Sequence, residues 1–117
     1  MTLEVEKKSP AAGVAILELR GRLLMGNDSR QVEWAVVEWI KAGIRNVILD
    51  LSGLGIIDST GVGILVMCHA KLEKVGGSLR IAGAKGIILD ILRMTHVDRI
   101  VKFFPSAEEA SKDFGSA

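Results

Sequence analysis

The sequence predicts an α/β domain, a mixed and largely parallel central sheet of about five strands with about four helices, in the order β-β-α-β-α-β-α-β-α. Three observations lead there. Short apolar runs at 14–20, 46–51, 78–83 and 100–103 alternate with stretches whose apolar residues recur at helical spacing. Alternation of this kind lays helices on a parallel sheet. The run Asn46-Val47-Ile48-Leu49-Asp50-Leu51 is nearly continuous, as a strand buried on both faces requires. Hydrophobic residues make up 49% of the 117 and aromatics only 4%, so the core is aliphatic. One domain over 1–117 is expected, because a second would lack a core of its own.

Each element has a local reason. Residues 3–7 alternate like a short edge strand, and Ser9-Pro10-Ala11-Ala12-Gly13 reads as a turn. Residues 14–20 form a second strand, ended by Gly21, that pairs with the first as a hairpin. Asn27-Asp28-Ser29 offers N-cap residues for a helix over about 28–42. Val32, Ala35, Val36, Trp39 and Ile40 make its core stripe, and Gly43 suits its C-cap. Strand 46–51 is broken by Ser52-Gly53-Leu54-Gly55, with Ile56-Ile57 as a brief extension. Asp58-Ser59 opens a helix to about Lys74, which Gly76-Gly77 ends. A strand over 78–83, a helix over 86–94 and a strand over 100–103 follow. Ser106 caps a last helix over 107–114.

Composition narrows the function classes. The chain has 15 basic and 14 acidic residues, a net charge of +1, and neither sign clusters. No basic face for nucleic acid is expected. No apolar run reaches the roughly 20 residues of a membrane span. No apolar stretch near Met1 resembles a secretory signal. These point to a cytoplasmic protein without membrane insertion. Cys68 is the only cysteine, so no internal disulfide forms, and it reads as a small buried apolar residue. His69 and His96 have no partners at metal spacing. There is no Walker A loop, no CxxC and no triad. The expectation is a protein-binding module with no catalytic residues, no metal and no cofactor.

The unusual stretch is Gly55-Ile56-Ile57-Asp58-Ser59-Thr60-Gly61-Val62-Gly63. Each glycine inside a helix costs about 1 kcal/mol relative to Ala, so two in the opening turns imply close approach of another surface. Two readings stand side by side. Asp58 or Ser59 is simply an N-cap and the glycines let the helix pack on the sheet, or Ser59 is an exposed, modifiable hydroxyl. Further along, Gly61, Leu65, Cys68 and Leu72 fall on the sheet side. Gly63, Val66, Met67 and Ala70 fall on the opposite, also apolar, side. That side is either a binding face or a surface covered by the first helix or a second copy. Trp34 lies opposite its own core stripe; it is either an interface anchor or an ordinary exposed aromatic.

Residues 47–51, then Ile57-Asp58-Ser59-Thr60-Gly61-Val62-Gly63, then Lys74-Val75-Gly76-Gly77-Ser78-Leu79, resemble the STAS domain, and more narrowly the bacterial anti-sigma factor antagonists. The resemblance runs through most of the chain, to Leu89-Asp90-Ile91-Leu92-Arg93-Met94 and Ile100-Val101-Lys102-Phe103-Phe104. It implies a phosphoprotein that regulates transcription by switching partners. The serine matching Ser59 is phosphorylated by a serine kinase that is also the anti-sigma factor, with Thr60 the lesser acceptor. The unmodified form binds that kinase and frees a sigma factor, and a PP2C-type phosphatase resets the serine. Asp58, Ser59, Thr60, Gly61, Gly63, Val66, Met67, Asp28 and Trp34 are the expected partner contacts. A monomer that forms hetero-complexes is implied, while the apolar second helix leaves a homodimer open. The chain departs from the family at Gly21-Arg22-Leu23-Leu24-Met25-Gly26. Arg22 replaces an acid and Leu24 stands where an Asp is expected, so the nearest acid is Asp28. That departure favours a second reading, an adaptor STAS subunit of a larger signalling or lipid-transport assembly without a serine switch. A small enzyme is a third reading, which no phosphate cradle or catalytic cluster supports.

Overall fold

The computed structural model describes residues 3–115, excluding the side chains of Asn27 and Asp28. Five strands form one sheet: β1 (Glu4–Ala11), β2 (Val14–Leu23), β3 (Asn46–Ile57), β4 (Ser78–Ala82) and β5 (Lys102–Phe104). Four helices join and flank them: α1 (Asn27–Lys41), α2 (Ser59–Lys74), α3 (Gly86–Met94) and α4 (Ala107–Gly115). A single 3₁₀ turn, Val97–Arg99, precedes β5. The sheet order is β1-β2-β3-β4-β5, with β1 antiparallel to β2 and every later pair parallel.

Side-chain alternation along the strands sends residues to two faces. Leu17, Leu19, Leu49, Leu51, Leu79 and Ile81 point to one, where they pack with Val32, Val36, Leu65, Leu72, Ile88 and Leu92. So α1, α2 and α3 share that face. Val14, Ile16, Ile48 and Ala82 point to the other, under α4 through Ala107, Ala110 and Phe114. Arg80 holds α4 down, its Nε 3.0 Å from Asp113 Oδ2 and its guanidinium 4.4 Å from the Phe114 ring centre. Half of this second face carries charge instead: Lys8 and Arg20 pair with Glu18, and Arg20 reaches Glu6.

Several sequence expectations shift. β1 runs through Pro10 to Ala11, with a register irregularity after Lys8; an edge strand tolerates a proline that a central one does not. β2 does not stop at Gly21, and β3 does not stop at Leu51. The two continue together, with Arg20 opposite Gly53, Gly21 opposite Leu54 and Leu23 opposite Ile57, across two register shifts. Gly21 has φ 98°, a glycine conformation that lets the ladder jump there. The helix α1 is capped at Gly26 without a side-chain bond, not by the Asn27-Asp28-Ser29 run. Ser29 instead donates to Gly26 O at 2.7 Å. Gly43, at φ 87°, lies just past the end of α1 as expected. Ser106 Oγ accepts from Glu109 N at 3.2 Å and caps α4 as expected. Among the described residues no helix is long and apolar enough to cross a membrane.

Candidate functional site

The long β2–β3 ribbon delivers the chain to the start of α2. There Asp58 has extended backbone (φ −108°, ψ −176°) and its Oδ1 accepts from Gly61 N at 2.8 Å. This satisfies one of the donors a helix start leaves unpaired. Its Oδ2 accepts from Met25 N at 2.9 Å. One carboxylate therefore ties the helix start to the β2–α1 loop, 33 residues earlier. The Gly61 bond, and after it the Met25 bond, hold the Asp58 carboxyl below its usual range, so it is ionised at neutral pH. Asp58 N also donates to Leu23 O at 3.3 Å.

Ser59 is the first residue of α2 and is exposed, as is Thr60. The two glycines that follow do different things. A Cβ on Gly61 would lie 2.6 Å from Leu23 O and 2.7 Å from Ile57 Cγ1. Gly61 is thus a packing residue, buried against β2. A Cβ on Gly63 would meet nothing within 4 Å; this glycine faces solvent.

Beyond it, α2 divides as its spacing suggests. Gly61, Ile64, Leu65, Cys68 and Leu72 are buried, while Val66 and Met67 are 37% and 44% exposed. Burial pushes the Cys68 thiol up to about 12, with the Glu33 charge adding to it. A groove of about 340 Å³ between α1 and α2 is lined by Met25, Arg30, Glu33, Thr60, Ile64 and Met67. Met25 is 78% exposed. Sequence reasoning missed it, because an isolated methionine between a strand end and Gly26 carries no periodic signal.

The structure brings Asp58, Ser59, Thr60, Met67 and the Met25 loop together. Trp34, 57% exposed, does not join them. It lines a separate groove between β1 and α1 with Val5, Lys7 and Glu38. Asp28 falls in the first turn of α1, and its side chain lies outside those described. Among the described residues no three His, Cys, Asp or Glu are placed to hold a metal ion.

Residues 4–110 match the STAS domain family model. The chain belongs to the STAS domain family. A Thermotoga neapolitana relative, named as a candidate anti-sigma factor antagonist, is 28% identical over 98 residues, which is 78% of this STAS chain and 87% of its own. The crystal structure of a candidate anti-sigma factor antagonist from Thermotoga maritima superposes with a TM-score of 0.84 at 26% identity, covering 93% of this chain and 92% of that one. The phosphorylated form of SpoIIAA, a Bacillus cell fate determinant, superposes with a TM-score of 0.76 at 18% identity, covering 95% and 99%. At that identity the likeness is one of fold.

Proposed function

We propose that this STAS domain is a cytoplasmic anti-sigma factor antagonist that works by partner switching. Unmodified, it binds a kinase-type anti-sigma factor and so frees a sigma factor. Phosphorylation of Ser59 releases the kinase, and a PP2C-type phosphatase resets the serine. The observation that carries the reading is the position of Ser59: exposed, first in α2, between an ionised carboxylate and an exposed apolar helix face.

The energetics fit a switch that leaves the fold intact. A phosphate adds about −1.5 to −2 charges at pH 7. The dipole of α2 favours it by about 0.3–1 kcal/mol, and the Asp58 carboxylate opposes it. A partner docked on Ser59 would have to bury that dianion, at a cost of several kcal/mol unless it is paired.

The test is to incubate the protein with ATP and the kinase-type anti-sigma factor of its own genome, then record intact mass. One added phosphate, absent from Ser59→Ala, is expected. The adaptor reading draws on Arg22 and Leu24, which stand in the Gly21–Gly26 segment where an acid and an Asp are expected. No phosphate, with stable binding that tolerates Ser59→Asp, would replace the switch with the adaptor.

A further inference from the structure

β1 is the outer strand of the sheet and has β2 on one side only. An antiparallel ladder engages the N–H and C=O of alternate residues, so the other residues of β1 point theirs away from β2. All of Glu4–Ala11 except Val5 is exposed. Regular pairing with β2 runs from Glu4 to Lys8 and is broken before Ala11, and Pro10 has no N–H to give. The open ladder is therefore Glu4-Val5-Glu6-Lys7-Lys8. Alternation puts Glu4, Glu6 and Lys8 on one face, beside Glu18 and Arg20. Val5 and Lys7 fall on the other, where they line a groove of about 300 Å³ with Trp34 and Glu38. Ion pairs within the chain still leave the side chains of Glu4, Glu6 and Lys8 70%, 49% and 47% exposed.

Charge on an edge strand ordinarily prevents pairing with another chain. Here the order of the charges complements one partner, a second copy of the same strand. Antiparallel addition about a two-fold axis centred on Glu6 sets Glu4 opposite Lys8 of the second copy, twice, and Val5 opposite its Lys7, twice. The one like-charged meeting is Glu6 with its own copy, and each Glu6 holds Arg20 at 3.3 Å. Centring on Val5 instead opposes Glu4 to Glu6 twice, and centring on Lys7 runs Glu4 against Pro10, where the ladder is broken. We propose that two copies of this chain join edge to edge through β1, antiparallel and centred on Glu6, into one continuous sheet. Backbone bonds between the outward-pointing groups hold the seam, and the Glu4–Lys8 pairs fix its register. The incoming Val5 and Lys7 extend the wall of the groove beside Trp34, which is 57% exposed in the single chain.

Analytical ultracentrifugation of the purified chain and its charge variants is the test. The parent is expected to dimerise, with amide exchange in Glu4–Lys8 slowing as concentration rises. Glu4→Lys and Lys8→Glu each replace two attractions by two repulsions. Each is expected to raise the dimer dissociation constant at least about tenfold at low salt, with the gap closing at high salt. Mixed in equal amounts, the two variants again oppose acid to base at both positions, and they are expected to form a heterodimer. That recovery also shows that both variants fold. The edge is separate from the start of α2, so Ser59→Ala is expected to leave the dimer unchanged. A parent that stays monomeric at millimolar concentration overturns the proposal. So does a dimer indifferent to Glu4→Lys, which places the contact on another face. Variants that circular dichroism shows to be folded, yet that stay apart when mixed, overturn it as well.

Discussion

Gly61 and Gly63 stand two residues apart in one helix, yet the same substitution should act on them with opposite sign. In Gly63→Ala the new methyl meets no atom within 4 Å, so only helix propensity counts and stability rises by about 1 kcal/mol. In Gly61→Ala the Cβ would sit 2.6 Å from Leu23 O. Reaching ordinary contact near 3.4 Å needs a shift of 0.8 Å (3.4 − 2.6) between α2 and β2. Overpacking of this kind costs about 1–3 kcal/mol. The shift also stretches the Asp58 N to Leu23 O bond, already 3.3 Å, at about 1 kcal/mol. Subtracting the propensity gain leaves a net loss of about 1–3 kcal/mol, and a gap of about 2–4 kcal/mol between the variants. Urea unfolding followed by far-UV circular dichroism reads this directly. With a slope of about 2 kcal/mol per molar, the middle of the usual range, the two midpoints separate by roughly 1–2 M, one on each side of the parent. Midpoints that move the same way, or a neutral Gly61→Ala, would refute the close approach of α2 to β2.

Other outcomes follow from single contacts. Asp58→Ala removes the cap on Gly61 and the tie to Met25 and should cost about 1–2 kcal/mol at pH 7 in the same urea assay. Because the folded carboxyl is held low, its contribution is present above the unfolded value of about 3.9 and is lost as pH falls through the folded value. The gap between parent and Asp58→Ala should therefore narrow only below about pH 4. Cys68, buried with its thiol pushed up to about 12, should resist a thiol reagent at pH 8 in the native state and react at once in urea. Arg80→Ala loses both the Asp113 bond and the Phe114 stack. It should speed amide exchange in α4 while leaving α2 unchanged.

Where one residue pattern decides an element, the sequence shows it. The helix over 86–94 is found at Gly86–Met94, and the helix from Asp58-Ser59 to Lys74 is found with Asp58 as its cap. Elements decided by a distant partner were misread. Ser52-Gly53-Leu54-Gly55 looks like a break, yet β3 continues because β2 continues beside it. Gly53 is there for space, since a Cβ would lie 2.6 Å from Arg20 Cγ. Pro10 signals a turn, but at a sheet edge it sits within β1. At the site, the Asp58 cap and the outward face of Val66 and Met67 were legible from spacing. The second bond of Asp58, to Met25 N, was not, because it joins residues 33 apart that only the fold brings together. The division of labour between Gly61 and Gly63 was equally hidden, as it depends on where Leu23 O lies.

The central claim is that a phosphate on Ser59 controls binding without unfolding the domain. Calorimetry of the kinase-type anti-sigma factor against the unmodified chain and the Ser59-phosphorylated chain tests it most directly. Burying an unpaired dianion at about 3–4 kcal/mol corresponds to a loss of affinity of a few hundred-fold, with circular dichroism unchanged. Equal affinity of the two forms, or lost affinity accompanied by loss of helix signal, would contradict it.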